Sequence, residues 1–208
     1  MQTLLPTGNT NLDKLQPVVL CGGQSTRMGT DKGLIKPKDI TWVQQSVELL
    51  SAITTPVLIS VNPQQVSTYK TAIPSGQLIA DDPLLIIAGP LHGILSIHLQ
   101  FPDLDLLVLA CDMPVMNLEV LSLLTAQYQH HREFEAFVFR NGEETEPLCA
   151  IYTAIGLAKI YGQFKAGGLH RHSMKNMISK LDTCFIAVPQ HLAFSFRNIN
   201  AHSELNGL

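Results

Sequence analysis

Short apolar runs recur along the chain and alternate with segments in which apolar residues follow a helical period. Most of these runs are continuously apolar, which is typical of strands in a mostly parallel sheet covered by helices on both faces. Seven strands are therefore predicted: Pro17–Cys21, Val57–Val61, Gln77–Ala80, Leu106–Cys111, Ala136–Phe139, Leu148–Tyr152 and Cys184–Val188. The alternation predicts a three-layer α/β fold. An Asn141-Gly142 pair between the fifth and sixth runs predicts a hairpin turn.

Three segments between the strands carry apolar stripes that predict helices packed on the sheet. In the first, Val43, Val47 and Leu50 share one helical face. Thr41 and Gln44 stand ahead of this face in the positions of a capping box. The other two stripes are Leu118, Leu121, Leu124 and Tyr128, and Met174, Met177, Ile178 and Leu181.

Length and charge limit the classes of protein that the chain can represent. Its 208 residues, 46% of them hydrophobic, suffice for one domain with a core that needs no disulfide or metal. We predict that this domain spans residues 17–208 and that residues 1–16, which do not resemble a secretory signal, are a flexible leader. The net charge of −3 provides no basic excess for binding nucleic acid. The longest apolar runs are too short to cross a membrane.

The four cysteines lie far apart in the sequence, and no two are spaced as a Cys-x-x-Cys pair. Such spacing argues against a disulfide scaffold and against a zinc knuckle. It is typical of buried thiols in a reducing compartment, so we expect a cytoplasmic protein. These residues are Cys21, Cys111, Cys149 and Cys184.

A glycine-rich segment, Gly22–Gly33, follows the first predicted strand. It therefore lies at the carboxyl edge of the sheet, where open α/β sheets bind ligands. Its glycines allow backbone N–H groups to approach phosphate oxygens, and Arg27 and Lys32 add positive charge. The segment has neither the P-loop pattern nor the Gly-x-Gly-x-x-Gly fingerprint, so it supports neither ATPase chemistry nor NAD binding. This context favours a nucleotide phosphate site over a flexible surface loop.

One carboxylate, Asp112, stands at the carboxyl end of the fourth predicted strand. Opposite a phosphate site, such a carboxylate is suited to Mg²⁺, with nucleotide phosphates and water completing the coordination. An Asp closely followed by Pro, as here by Pro114, is also a common end of a strand. The neighbouring phosphate site favours the metal interpretation.

The segments Leu20–Gly23, Arg27–Gly29 and Asp31-Lys32 resemble the signature of the molybdenum cofactor guanylyltransferases of the MobA type. These enzymes belong to the Rossmann-like nucleotidyltransferases. The family usually has Ala where this chain has Cys21. Related cytidylyl- and sugar-nucleotide transferases carry Ala-Gly in place of Gly22-Gly23, and the missing methyl group leaves room for a bulkier or differently substituted base. The resemblance covers residues 18 to 205 approximately and implies a three-layer Rossmann-like nucleotidyltransferase fold.

Motifs farther along the chain follow the order of the same family. Asn62 and Asp81 each end a predicted strand, and the family residues at these places hold the nucleotide. The residues alone favour a turn role for Asn62, before Pro63, and Asp81 could simply begin the loop at Pro83. Gly89–Gly93 resembles the family's Gly-Pro-Leu-Ala-Gly, which starts a helix beside the base or sugar. His92 replaces the Ala of that motif and is assigned no role, and the other histidines are interpreted as surface residues.

Two further motifs concern the metal and the acceptor. Cys111–Pro114 matches the family's Cys-Asp-x-Pro, and Glu146–Tyr152 resembles a strand near the acceptor. Phe196–Asn200 resembles the family's Phe-x-Asn-Ile-Asn near the active site. The resemblance therefore places Asn198 and Asn200 on the acceptor side; the alternative is that they only cap a last helix beginning at residue 201.

The resemblance implies that GMP is transferred from GTP to the terminal phosphate of molybdopterin, which gives molybdopterin guanine dinucleotide and pyrophosphate. The acceptor phosphate is already anionic, so catalysis needs alignment and charge neutralisation. Mg²⁺ is the expected cofactor, and GTP and molybdopterin are the expected substrates. Molybdoenzymes or cofactor-biosynthesis proteins are expected as transient partners. The expected site consists of Lys32, Arg27 and Asp112 for catalysis, Asp112 also for the metal, and Leu20, Cys21, Gly22, Gly23, Lys32, Asn62, Asp81 and Gly89 for the nucleotide.

Three alternatives stay open at this stage. The chain could be a nucleotidyltransferase that uses CTP with molybdopterin, or one that uses an NTP with a sugar phosphate. It could also be a GTP-binding protein that delivers the cofactor without catalysis. Lys32 and Asp112 favour an enzyme, because a protein that only binds GTP has less need of a metal-holding carboxylate.

Overall fold

The structure, a computed structural model, describes residues 12–22, 31–37, 39–74 and 77–197. Within these ranges seven strands form one sheet in the order β3-β2-β1-β4-β6-β5-β7. All seven predicted strands are confirmed. Their bounds are β1 Leu15–Leu20, β2 Leu58–Val61, β3 Gln77–Ala80, β4 Asp105–Ala110, β5 Ala136–Asn141, β6 Glu144–Tyr152 and β7 Thr183–Ala187.

The first strand begins two residues earlier than predicted, inside the stretch expected to be a leader. Leu15 is only 4% exposed, and it pairs with Asp105 in the register between β1 and β4. Burial of this leucine and continuation of the parallel ladder extend the strand. The first strand of the described residues therefore starts before Pro17.

The described ranges also contain six α-helices and two 3₁₀ helices. The α-helices are α1 Trp42–Ser51, α2 Val66–Ala72, α3 Pro90–Gln100, α4 Leu118–His130, α5 Ala154–Lys165 and α6 Met174–Ile178. The 3₁₀ helices are Lys32–Leu34 and Gln190–Phe196. In this part of the chain, no helix has the length and apolar character that a membrane crossing requires.

The predicted capping box at the start of α1 is confirmed. The Thr41 hydroxyl oxygen accepts the N–H of Gln44 at 3.3 Å, and Gln44 Oε1 accepts the N–H of Thr41 at 2.8 Å. These two bonds satisfy donors that the first turn of a helix leaves without an internal partner. The helix therefore starts where the sequence predicted.

The sheet is mostly parallel because only β6 runs against its neighbours. β1, β2, β3 and β4 pair in parallel, as do β5 and β7, whereas β6 is antiparallel to both β4 and β5. The reversal follows from the predicted Asn141-Gly142 turn, in which Gly142 has a φ of +59°. Such a left-handed angle suits glycine, so the turn closes the β5–β6 hairpin tightly.

Two apolar cores lie on opposite faces of the sheet, which confirms the three-layer α/β fold. Alternate residues of β1 divide between them: Val19 packs with α1, α2 and α4, whereas Val18 packs with α3, α5 and α6. Three of the four cysteines are buried, Cys184 is half-buried, and all four are free thiols.

Two details of the predicted helical stripes are wrong. Leu118 is 44% exposed because it is the first residue of α4, ahead of the turn whose side chains reach the core. α6 ends at Ile178, so Leu181 reaches the core from the following turn. The interpretation of His98 as a surface residue is also wrong, because His98 lies on the packed side of α3 and is only 4% exposed.

Candidate active site

The carboxyl ends of the neighbouring strands β1 and β4 form the floor of a cleft of about 280 Å³. Lys32 Nζ lies 2.9 Å from Asp112 Oδ2 in this cleft, and each side chain retains about a fifth of its exposure. The pair therefore remains accessible to a ligand. Six of the predicted site residues line the cleft, namely Leu20, Cys21, Gly22, Lys32, Gly89 and Asp112.

Lys32 is held by the residue before it. Asp31 caps the 3₁₀ helix Lys32–Leu34, and its Oδ1 accepts the N–H of Gly33 at 3.1 Å and the hydroxyl of Tyr69 at 2.7 Å. The side-chain amide of Gln65 donates to the other carboxylate oxygen and also to the carbonyl of Cys21, the latter at 3.2 Å. These contacts tie the backbone at Lys32 to β1 and α2.

Tyr69 supports this arrangement because it stays protonated. The residue is fully buried, and desolvation, reinforced by Cys21, Cys111 and Asp31, raises the pKa of its hydroxyl well above the usual range. A neutral hydroxyl can donate a hydrogen bond to a carboxylate, whereas a phenolate cannot. The Tyr69–Asp31 contact is therefore stable across the physiological pH range.

One wall of the cleft includes a residue from a bulge in β6. Ala150 pairs with Val138, but the next residue of β5, Phe139, pairs with Glu146, so three residues of β6 have no partner on β5. Among them, Leu148 lines the cleft. Bulges commonly re-aim side chains beside active sites, and this one brings an apolar group close to Asp112.

The floor of the cleft also contains two thiols. Cys21 and Cys111 follow β1 and β4 at adjacent places, and both line the cleft. A hydrogen bond with Cys21, together with burial, raises the pKa of the Cys111 thiol. A thiol with a raised pKa is a poor nucleophile, so Cys111 contributes to the floor of the site and does not act as a reacting group.

The start of α3 contributes to the cleft, and the helix begins at the Gly89-Pro90 pair as the sequence predicted. Gly89 is the N-cap of α3 with a φ of +72°, an angle that strongly favours glycine. Pro90 takes the first helical position, where its missing N–H costs no hydrogen bond. Both residues line the cleft.

Asp81 lies beside the first glycine of the glycine-rich segment. It is 8% exposed, and its Oδ1 accepts the hydroxyl of Ser60 at 3.2 Å. A Cβ added to Gly22 would lie 3.3 Å from Asp81 Oδ2, so the two positions are in contact range. Burial raises the pKa of Asp81, while His92 and Ser60 oppose this rise. The glycine at position 22 thus keeps this carboxylate oxygen uncrowded.

Asn62 has the turn role that the sequence left as its alternative. Its side-chain oxygen accepts the N–H of Gln65 at 3.0 Å, and Gln65 Oε1 accepts the N–H of Asn62 at 2.9 Å. Asn62 is absent from the described lining of the cleft. The reciprocal bonds fix the turn that leads from β2 into α2, and with it the position of Gln65.

Four predicted site residues lie outside the described residues: Gly23, Arg27, Asn198 and Asn200. Sequence reasoning missed Asp31, Gln65 and His92. Asp31 had a signal, because an Asp ahead of a glycine-containing turn is a favourable helix cap. Gln65 and His92 act through contacts between separate elements, which the sequence pattern does not encode.

The carboxylates of the described residues do not form a dedicated metal cage, since no group of three or more His, Cys, Asp or Glu side chains there is arranged to hold an ion. Mg²⁺ typically takes one or two carboxylates and completes its shell with phosphates and water. Asp112, one partly exposed carboxylate at the cleft, fits that type of site.

Gly93 provides a test of the packing that holds Asp81. A Cβ at this position would overlap the Ser60 hydroxyl oxygen and lie 3.2 Å from Asp81 Oδ1. We expect Gly93→Ala to lower the free energy of unfolding by about 1–3 kcal/mol, as overpacking usually does, and to weaken nucleotide binding. Urea unfolding measures the first effect.

The matched control for this substitution is Gly162→Ala, in α5, where an added Cβ meets nothing within 4 Å. Alanine should raise the stability there by up to about 1 kcal/mol through its helix propensity. Equal changes in the two variants would contradict the described contact between Gly93, Ser60 and Asp81.

Comparison with known proteins assigns this chain to a family. Residues 17–183 match the MobA-like NTP transferase domain. The chain is 27% identical over 198 residues to a probable molybdenum cofactor guanylyltransferase of Flavobacterium johnsoniae, covering 95% of this chain and 97% of that one. It is 28% identical over 199 residues to the molybdenum cofactor guanylyltransferase of Syntrophotalea carbinolica, covering 90% and 87%.

A solved structure extends the similarity to the fold. The molybdopterin-guanine dinucleotide biosynthesis protein A of Archaeoglobus fulgidus superposes with a TM-score of 0.75 at 21% identity, covering 92% of this chain and 95% of that one. The two chains therefore share their overall fold.

Proposed function

Because the chain belongs to the MobA-like NTP transferase domain family, we propose that it transfers GMP from GTP to the terminal phosphate of molybdopterin. The products are molybdopterin guanine dinucleotide and pyrophosphate. The observation that carries this proposal is the Lys32–Asp112 pair, 2.9 Å apart in a cleft at the carboxyl edge of the sheet. The names of the similar proteins support the choice of GTP and molybdopterin.

In the proposed reaction, an oxygen of the acceptor phosphate attacks the α-phosphorus of GTP. The bond from that phosphorus to the bridging oxygen breaks, and the electron pair leaves with pyrophosphate. The acceptor oxygen already carries negative charge, so no side chain has to remove a proton from it. Alignment of the reactants and neutralisation of the phosphate charges are then the main contributions of the protein.

Lys32 is the side chain that we assign to the phosphates of GTP. Its ammonium group projects into the cleft from a backbone fixed by Asp31, and the first residues after β1 are close enough to contribute backbone groups. Before substrates bind, the ion pair with Asp112 keeps both side chains at the cleft. A triphosphate competes with Asp112 for Lys32, and this exchange makes the carboxylate available to a cation.

Asp112 is the residue that we assign to Mg²⁺. When bound, Mg²⁺ would neutralise phosphate charge and orient the reacting groups. Asp112 lies two residues after β4, a central strand that is paired with β1 on one side and β6 on the other, so the chain that leads into it is well supported. A fixed carboxylate holds a cation in one place at little entropic cost.

The test is to mix the full chain with Mg²⁺, GTP and molybdopterin and to identify the product by mass. We expect a pterin guanine dinucleotide. Parallel reactions with CTP, and with a sugar phosphate as the acceptor, test the two alternative pairs of substrates. Faster product formation with CTP than with GTP would overturn the assignment of guanine, and GTP binding without any product would favour a cofactor-delivery protein.

A further inference from the structure

His92, in the first turn of α3, faces the two acidic residues that follow β3. Its Nε2 lies 2.7 Å from the carbonyl oxygen of Asp82, and its Nδ1 lies 3.9 Å from Asp81 Oδ2. A carbonyl oxygen only accepts hydrogen bonds, so Nε2 must carry the proton. In the neutral ring Nδ1 is therefore an acceptor, and it faces a carboxylate that is also an acceptor.

Neutral His92 Nδ1 and Asp81 Oδ2 are two neighbouring acceptors that need a hydrogen-bond donor from outside the pair. Asp81 Oδ1 already has the Ser60 hydroxyl, whereas Oδ2 lies between His92 and the backbone at Gly22. The side chains of His92 and Asp81 retain 22% and 10% exposure, so a ligand can reach them. Partly buried acceptors that face each other without a donor are unfavourable, and a ligand N–H group would relieve this cost.

Resting on the proposed function, we infer that His92 is a specificity-determining residue that recognises, together with Asp81, two neighbouring N–H groups on the base of the nucleotide: neutral Nδ1 accepts the exocyclic amino group, and Asp81 Oδ2 accepts the ring N–H. Guanine presents such a pair, its ring N–H and its amino group. Adenine and cytosine place a ring acceptor next to their amino group, so each offers one donor and one repulsive contact.

The ribose hydroxyls are the other pair of neighbouring donors on a nucleotide, and protonation distinguishes them from the base. A hydroxyl both donates and accepts, so it can still bond to a protonated ring. The guanine N–H groups cannot accept. A base bound at this place therefore requires the neutral ring, whereas a ribose does not.

The sign of the pH dependence follows from the groups around His92. Among the described residues it faces Asp81 and Asp82; the Asp82 carboxylate accepts the N–H of Leu84, and His172 binds the N–H of Ala88 at the far end of the same loop. When the ring gains a proton, Nδ1 becomes a donor to Asp81 Oδ2. Neither atom is then available to accept an N–H group of the base. Burial also raises the pKa of Asp81, which favours its protonation in acid. Affinity for GTP should therefore fall as pH falls.

The experiment measures GTP binding to the full chain by calorimetry from about pH 5.5 to about pH 8, the range in which histidine usually titrates. Variants are His92→Ala, which introduces the residue common in the family, and His92→Gln, whose amide can still donate to the Asp82 carbonyl. His130→Gln, at an exposed histidine in α4, is the control. The γ-phosphate also ionises in this range, so the readout is the ratio of wild-type to variant affinity.

We expect the wild type to bind GTP about tenfold more tightly than His92→Ala near pH 8, and the two to converge near pH 5.5. The Gln variant should lose the dependence as well, and the control should keep it. ITP, which lacks the amino group, should bind more weakly than GTP to the wild type but equally with GTP to His92→Ala.

Two results would overturn the inference while leaving the proposed function intact. One is a wild-type to His92→Ala ratio that stays constant with pH, which a purely structural role or a ribose contact would give. The other is an unchanged preference for GTP over ITP in His92→Ala, with 2′-deoxy-GTP instead losing its disadvantage. Absence of GTP binding to the wild type at every pH would refute the proposed function, and the inference with it.

Discussion

Replacement of Asp112 by asparagine should lower the rate of nucleotidyl transfer by about 1000-fold or more, because loss of an electrostatic contact to the reacting phosphates has effects of this size. Asparagine has nearly the same shape, so the backbone after β4 can remain in place. The loss should therefore appear in the rate at saturating GTP and Mg²⁺. Initial rates over a series of Mg²⁺ concentrations measure it.

The control for this substitution is Asp103→Asn, which removes one negative charge from an exposed position just before β4, at the other end of that strand. That variant should retain wild-type activity. Thermal unfolding of both variants checks that they are folded. A fully active, Mg²⁺-dependent Asp112→Asn enzyme would refute the assignment of this carboxylate to the metal.

Replacement of Lys32 by alanine should weaken GTP binding by about 10- to 100-fold, the usual cost of losing a charge-assisted hydrogen bond. The catalytic rate should fall as well, because the same ammonium group neutralises charge that moves onto the departing pyrophosphate. Titration of GTP and single-turnover rates separate the two effects. Replacement by arginine should restore part of the affinity and less of the rate, since its planar group has a different shape.

Lys36→Ala provides the matched control, since Lys36 is an exposed lysine four residues after Lys32. It removes the same net charge, so a general electrostatic effect would weaken both variants equally. The proposed contact requires a loss in Lys32→Ala alone. Unchanged affinity and rate in Lys32→Ala would remove this residue from the site.

Much of the fold could be predicted because the strands of a covered sheet are short apolar runs. β3 has the predicted bounds, β2 is one residue shorter than predicted, and the other strands shift or extend at their ends. The largest difference is in β6, which begins at Glu144, four residues before the predicted Leu148. Those additional residues are mostly polar and extend the hairpin beyond the core, so the apolar pattern does not report them.

The meeting of Lys32 and Asp112 was also accessible from the sequence. Both residues follow strands, and the carboxyl ends of parallel strands share one edge of the sheet. The pattern could not tell that β1 and β4 are neighbours, which is a property of the strand order. The family resemblance supplied this link.

The supporting contacts could not be predicted because each joins elements far apart in the chain. Tyr69 reaches Asp31 across 38 positions, and the bulge that turns Leu148 toward the cleft depends on the register between two strands. His92 meets Asp81 only because α3 packs over β2 and β3. Such contacts are set by packing geometry, whereas a sequence motif records only the residues that are close along the chain.

The central claim is that the cleft directs attack to the α-phosphorus of GTP, and the fate of each phosphorus atom tests it most directly. The full chain is incubated with Mg²⁺, molybdopterin and GTP labelled at either the α- or the γ-phosphorus. The account predicts that the α label enters the pterin product and that the γ label leaves as pyrophosphate. Release of the γ label as orthophosphate, with no α label in the pterin, would contradict it.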